Sequence, residues 1–111
     1  MKEKTLTQYL PLTESTYYIL LALVEPLHGY GVMQKVQVLS EQQVILGAGT
    51  LYGAFSTLEK EGLIQMVREE DRRKTYALTP KGRQVLALQI KRLRIMARNG
   101  KAVLPKLESV K

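Results

Sequence analysis

Mainly α with a small β-hairpin is the fold class the sequence predicts, and three observations predict it. Apolar residues recur at helical spacing in separated segments, the last of them much the longest. Between Leu63 and Leu78 the pattern changes to short runs with period two on either side of the charged stretch Glu69-Glu70-Asp71-Arg72-Arg73. Pro26, Gly62 and Thr79-Pro80 stand where helices are punctuated.

The first ten residues are polar and read as a loose arm. A helix is expected from Leu12-Thr13-Glu14, with Thr13 able to cap free N–H groups and Glu14 at the positive end of the dipole. It carries two stripes, Thr16, Leu20 and Leu23 on one side and Tyr18, Ala22 and Glu25 on another, so it has two things to pack against. Pro26 closes it after Val24. His28-Gly29-Tyr30-Gly31 reads as a turn into a second helix, Tyr30 to about Leu39, buried through Val32, Met33 and Val36. Ser40 to Gln43 is a loop, followed by the apolar stretch Val44-Ile45-Leu46.

A third helix opens at Gly47-Ala48-Gly49-Thr50, with Gly49 or Thr50 near its cap, and runs to Glu61. Leu51, Phe55 and Leu58 fall at i, i+4, i+7 as its core stripe, and Gly62 is placed to close it in the left-handed conformation. Strands follow at Leu63–Arg68 and Lys74–Leu78, joined by the charged five-residue loop; Tyr76 and Leu78 alternate with Thr75 and Ala77. Thr79-Pro80 then starts a long helix, cap plus Pro at N1, which Asn99-Gly100 is expected to stop near Arg98. Three helices, a hairpin and a long helix make the order of a winged helix-turn-helix (residues 12–79) with a C-terminal dimerisation helix and tail (80–111), preceded by a flexible arm (1–11).

The chain of 111 residues has no cysteine, which removes disulfides and thiolate metal sites and fits a reducing cytoplasm. No signal peptide and no membrane span are expected from its apolar runs. Net charge is +7, unevenly spread: residues 1–67 balance to −2 and residues 68–111 to +9. A basic half points to a polyanion partner or to a solvated helix face. One histidine, His28, and the carboxylate run Glu69-Glu70-Asp71 on a hairpin tip offer no catalytic set, no metal site and no cofactor loop.

The non-core positions of the third helix are Thr50, Tyr52, Gly53, Ser56, Thr57 and Lys60. Hydroxyls near the start of a helix, and a residue without a side chain, suit a major groove. Gly53 has a second reading, a close fit against a neighbouring helix. Arg72-Arg73-Lys74 on the hairpin can reach phosphates. With Tyr30 at the start of the second helix, these are the candidate contacts to double-stranded DNA. In the long helix Leu86, Ile90, Leu93 and Ala97 follow 4-3-4 spacing, a narrow seam suited to a second copy, which Tyr18 and Ala22 can complete.

The strings Leu20-Leu21-Ala22-Leu23, His28-Gly29-Tyr30-Gly31, Gly49-Thr50-Leu51-Tyr52, Leu58-Glu59-Lys60-Glu61-Gly62-Leu63-Ile64 and Arg73-Lys74-Thr75-Tyr76-Ala77-Leu78-Thr79-Pro80-Lys81-Gly82 together resemble the PadR family of transcriptional regulators, in its short branch with a single C-terminal helix. The resemblance covers about residues 12–98. It implies a homodimer joined through the first and last helices, DNA contacts from the third helix and wing, and repression of nearby genes. It also implies a pocket for a small hydrophobic effector near Tyr18, Ala22, Ile90 and Leu93. Gly53-Ala54-Phe55 stands where many members have Pro-Ala-Leu, and the chain has no tryptophan. A winged-helix protein–protein module without DNA binding is the alternative reading.

Overall fold

The computed structural model describes residues 4–109, and several helix boundaries in it have a local cause. Helix α1 spans Glu14–Ala22; the Thr13 hydroxyl accepts from the Thr16 amide at 3.1 Å, as expected of the cap. It ends two residues before Val24, in turn residues that precede Pro26. Helix α2 covers Gly29–Leu39 and α3 Ala48–Lys60, which starts earlier than expected, with Gly47 rather than Gly49 or Thr50 as its cap. Gly62 closes α3 at φ +78°. Its amide and that of Leu63 return to the carbonyls of Glu59 and Leu58 at 3.0 and 2.9 Å. This is the double bond pattern that a left-handed C′ residue permits.

The same pattern closes α2 with no glycine. Amides of Glu41 and Gln42 return to Val38 and Gln37 at 3.1 and 2.9 Å, while Glu41 and Gln42 sit at φ 52° and 72°. Ser40, buried beside them, receives the Val44 amide on its hydroxyl at 2.9 Å. That bond fixes the turn between α2 and α3, and lets Val44 and Leu46 enter the core while Ile45 points out.

Strands β2 (Ile64–Glu70) and β3 (Arg73–Leu78) pair antiparallel, from Ile64 with Leu78 to Glu70 with Arg73. The five-residue loop expected from sequence is therefore wrong. The charged residues Glu69, Glu70 and Arg73 belong to the ladder, and only Asp71-Arg72 turn the chain. Their φ values of 49° and 67° are those of a hairpin turn matched to strand twist. A register shift between Met66 and Arg68 bends the wing. A third strand was not expected: β1, Leu27–His28, pairs with Tyr76 and Thr75 and makes β3 central. The expected alternation in β3 fails for that reason. Thr75, Tyr76, Ala77 and Leu78 are all buried.

Helix α4 runs Pro80–Glu108, straight through Asn99-Gly100 and past Pro105. The expected stop near Arg98 is thus corrected. Gly costs a helix interior about 1 kcal/mol and Pro about 3, and the surrounding Ala, Arg, Lys and Leu are good helix formers. The Thr79 hydroxyl anchors the start, accepting from the Gly82 amide at 3.0 Å and donating to the Gly62 carbonyl at 2.6 Å. Gly82 lies so tightly on Leu63 that an added Cβ would overlap its carbonyl oxygen.

The core gathers Ile19, Leu20, Leu23, Val32, Val36, Leu51, Phe55, Leu58, Leu63, Ile64 and Val85 from every helix and from β2. Met33 of the expected α2 stripe packs against it half-buried. The arm expected to be loose instead forms a 3-10 helix, Leu6–Tyr9, whose apolar residues pack on the core. Buried Gln89 of α4 accepts the Leu12 amide at 3.1 Å and ties the arm down. Residues 1–3 of the arm and 110–111 of the tail lie outside the described residues.

Candidate nucleic-acid interface

The core stripe of α3 turns its other faces outward. Thr50, Tyr52, Gly53, Ser56, Thr57 and Lys60 are all exposed, as are Tyr30 and Arg72-Arg73-Lys74. The wing folds back beside α3 and leaves a groove of about 640 Å³ between them. Tyr30, Tyr52, Ser56, Arg72, Arg73 and Lys74 line it together. Thr50, Gly53, Thr57 and Lys60 do not; they occupy the outer face of α3.

Aromatic rings join these parts. Phe55 packs 4.8 Å from Tyr76 of β3 and 6.0 Å, edge to face, from Tyr52. Tyr52 in turn lies against Gly29 at the start of α2. The spacing of α3 therefore reaches the wing through Phe55 and the helix-turn-helix through Tyr52. Burial pushes the Tyr76 hydroxyl above its ordinary range, and the Glu59 carboxylate adds to this, so it is a neutral donor at physiological pH.

Sequence reasoning missed four polar or charged groups here. His28, Glu59, Asp71 and Tyr76 also line the groove. The i, i+4, i+7 spacing of Tyr52, Ser56 and Glu59 is the signal by which Glu59 was findable. His28 enters only because β1 pairs with β3.

Gly53 has no atom within 4 Å of where its Cβ would be, and neither does Gly49. The reading in which Gly53 fits against a neighbouring helix is therefore excluded within this chain.

Between α1 and α4, Tyr17, Tyr18, Gln89, Arg92, Leu93 and Met96 line a second groove of about 350 Å³. It unites Tyr18 and Leu93, two of the expected effector residues. The other two are not on it. Ile90 packs toward the core, and Ala22 is fully buried. Ala22 at 0% and Leu86 at 5% exposure have no surface left to offer, which corrects their assignment to a dimer interface. Leu93 is half-buried and Ala97 exposed, and beyond them Val103, Leu104 and Leu107 continue an apolar face along the helix. Burial also pushes the Tyr17 hydroxyl up, with Tyr18 beside it contributing.

Among the described residues no cluster of three metal-ligating side chains occurs, and no helix is long and apolar enough to cross a membrane.

Residues 19–88 match the transcriptional regulator PadR-like family, from α1 into α4. The chain belongs to the PadR-like family of transcriptional regulators. A transcriptional regulator from Clostridium thermocellum shares 27% of its sequence and superposes with a TM-score of 0.62 over 93% of this chain and 94% of that one. A PadR-like transcription factor from Bacteroides fragilis shares 28% with a TM-score of 0.66, over 80% and 88% of the two chains. An uncharacterized 37.1 kDa protein of transposon Tn4556 from Streptomyces fradiae is 39% identical over 69 residues, which is 61% of this chain and 19% of that protein. This PadR-like chain thus spans about a fifth of the length of that relative.

Proposed function

We propose that this PadR-like protein is a homodimeric repressor that binds duplex DNA by sequence, with α3 in the major groove and the wing on the adjacent backbone. One observation carries the reading. The groove between α3 and the wing brings Tyr30, Tyr52 and Ser56 onto one surface with Arg72, Arg73 and Lys74, beside an outer face of α3 left bare at Gly53. Cations position a duplex through its phosphates, and hydroxyls and bare backbone meet base edges. None of those three cations makes an ion pair within 4 Å among the described residues, so their charge is available.

The second copy is expected on the apolar face of α4 at Leu93 and Ala97, with Tyr18 of α1 beside it. A small hydrophobic effector fits the adjoining groove at Tyr18 and Leu93, where binding would change the spacing of two α3 helices and so release DNA.

Footprinting of DNA upstream of the gene, followed by titration of salt, tests this. Replacing Arg72 and Arg73 by Ala should weaken binding to all duplexes and lower the slope of log K against log salt by about 0.9 per lost contact. A protected site shared by both proteins with the same slope would take the wing off the DNA. No protection of any duplex would favour a protein-binding module.

A further inference from the structure

We propose that the flank of α4 formed by Lys91, Arg94, Arg98 and Lys101 is a second polyanion-binding surface, one that takes the phosphate backbone of duplex DNA beyond the stretch held by α3 and the wing. The proposal rests on the DNA-binding reading above and adds a separate surface to it.

The wing does not account for the basic half of the chain. Of the thirteen Lys and Arg in residues 68–111, eight lie on α4, whose one acidic residue is Glu108 at its end. At the base of the helix the cations serve the fold. Lys81 donates to the Glu61 carbonyl at 3.2 Å and Arg83 to the Val24 carbonyl at 3.2 Å. Higher up they do not. Lys91, Arg94, Arg98 and Lys101 are exposed, and none forms an ion pair among the described residues.

Their spacing of 3, 4 and 3 puts them in one stripe about 15 Å long, at 1.5 Å per residue. Every neighbouring pair in that stripe is a like-charge pair at i, i+3 or i+4, which weakens a helix by a few tenths of a kcal/mol each. No anionic partner among the described residues offsets this, which leaves the stripe open to an external anion.

The stripe lies about a quarter of a turn round the helix from Leu93 and Ala97. A helix lying in a membrane surface must bury its apolar face, and that face is the one this chain needs for its second copy. Apart from Ile95 at its edge, the flank offers charge. A phosphate backbone requires only charge, with one negative charge per roughly 1.7 Å of duplex axis.

The test uses the full chain and a variant, Lys91→Gln/Arg94→Gln/Arg98→Gln/Lys101→Gln. Two fluorescent duplexes serve as probes, one trimmed to the footprinted site and one extended on both sides. The parent should show a steeper salt slope on the longer duplex. The variant should lose that increment, up to about 3.6 per protomer for four contacts at 0.9 each, and bind the short duplex as before. A second variant that keeps the charge, Arg94→Lys/Arg98→Lys, should behave as the parent. A pair variant, Arg94→Gln/Arg98→Gln, should lose about half the increment should the fourfold one fail to fold.

An unchanged long-duplex slope in a variant that sediments as the parent does would overturn the proposal. So would loss of binding to phosphatidylcholine–phosphatidylserine vesicles with DNA binding intact. If the parent binds no duplex of either length, the DNA reading itself falls. If the parent binds both equally while the Arg72/Arg73 variant is impaired, only the flank does.

Discussion

The hydroxyl end of the Tyr52 ring lies so close to Gly29 that a β-carbon at residue 29 would come within 2.8 Å of the tyrosine Cζ. The first residue of α2 and the second turn of α3 thus meet with nothing between them. The contact lies beside the start of α2, where Tyr30 is exposed.

Gly29→Ala should therefore destabilise the protein, by about 1–3 kcal/mol as an overpacked site, despite the better helix propensity of Ala. Adding Tyr52→Ala should recover much of the loss. A double-mutant cycle by urea unfolding measures this, and additive effects would mean the ring simply swings into solvent.

Gly53→Ala should do the reverse. With nothing within 4 Å, the new methyl group meets only solvent in the free protein, and stability should rise by about 0.5–1 kcal/mol. Binding to DNA should fall all the same, because the methyl occupies the gap between α3 and the duplex. A rise in melting temperature with unchanged affinity would place Gly53 away from DNA.

The exposed hydroxyls of α3, Ser56 in the groove and Thr57 on the outer face, separate from its core stripe in the same way. Ser56→Ala or Thr57→Ala should shift preference among singly substituted operators by about 1–3 kcal/mol at one or two base pairs, recurring in both halves of an inverted repeat. Leu58→Ala, buried at 5% exposure, should cost roughly 2–5 kcal/mol of stability with no base preference of its own. Uniform loss of affinity across operators in the serine and threonine variants would reduce α3 to a backbone contact.

Leu93→Glu places a carboxylate in the face expected to receive a second copy. Half-buried Leu93 is not a core residue of the single chain, so the variant should stay folded and sediment as a monomer. Leu86→Ala offers the contrast, since Leu86 belongs to the core: stability should drop while assembly persists. An intact dimer of Leu93→Glu would move the interface elsewhere on α4.

Glu41 closes α2 at φ 52°, where residues with a side chain are strained. Glu41→Gly should stabilise the protein by up to about 1 kcal/mol without altering DNA binding, because the hydrogen bond from the residue 41 amide to the Val38 carbonyl needs only backbone. A loss of stability in thermal unfolding would show that the Glu41 side chain contributes something its exposure does not suggest.

What the sequence determined by itself is what depends on neighbours a few residues apart. Thr13 and Thr79-Pro80 mark helix starts and Gly62 a helix end because a cap bonds to amides or carbonyls within one turn. The stripe Leu51, Phe55, Leu58 follows from the helical period, and the presence of a hairpin between Leu63 and Leu78, though not its two-residue turn, from the charged break between two short apolar runs; both signals are local. The family was legible for the same reason, since its strings lie at those caps and turns.

Only tertiary structure decided the rest. A two-residue strand such as β1 has no period to read, and it exists because Leu27 and His28 meet Tyr76 and Thr75, some 48 positions away. That pairing makes β3 central and buries both of its faces. Asn99-Gly100 and Pro105 are local stop signals that the long α4 overrides. Ala22 and Leu86 fit the expected seam by spacing, yet a helix with two apolar sides does not disclose which side its own core will take. The groove that unites α3 with the wing comes from packing Phe55 on Tyr76, a contact between elements that no window of sequence contains.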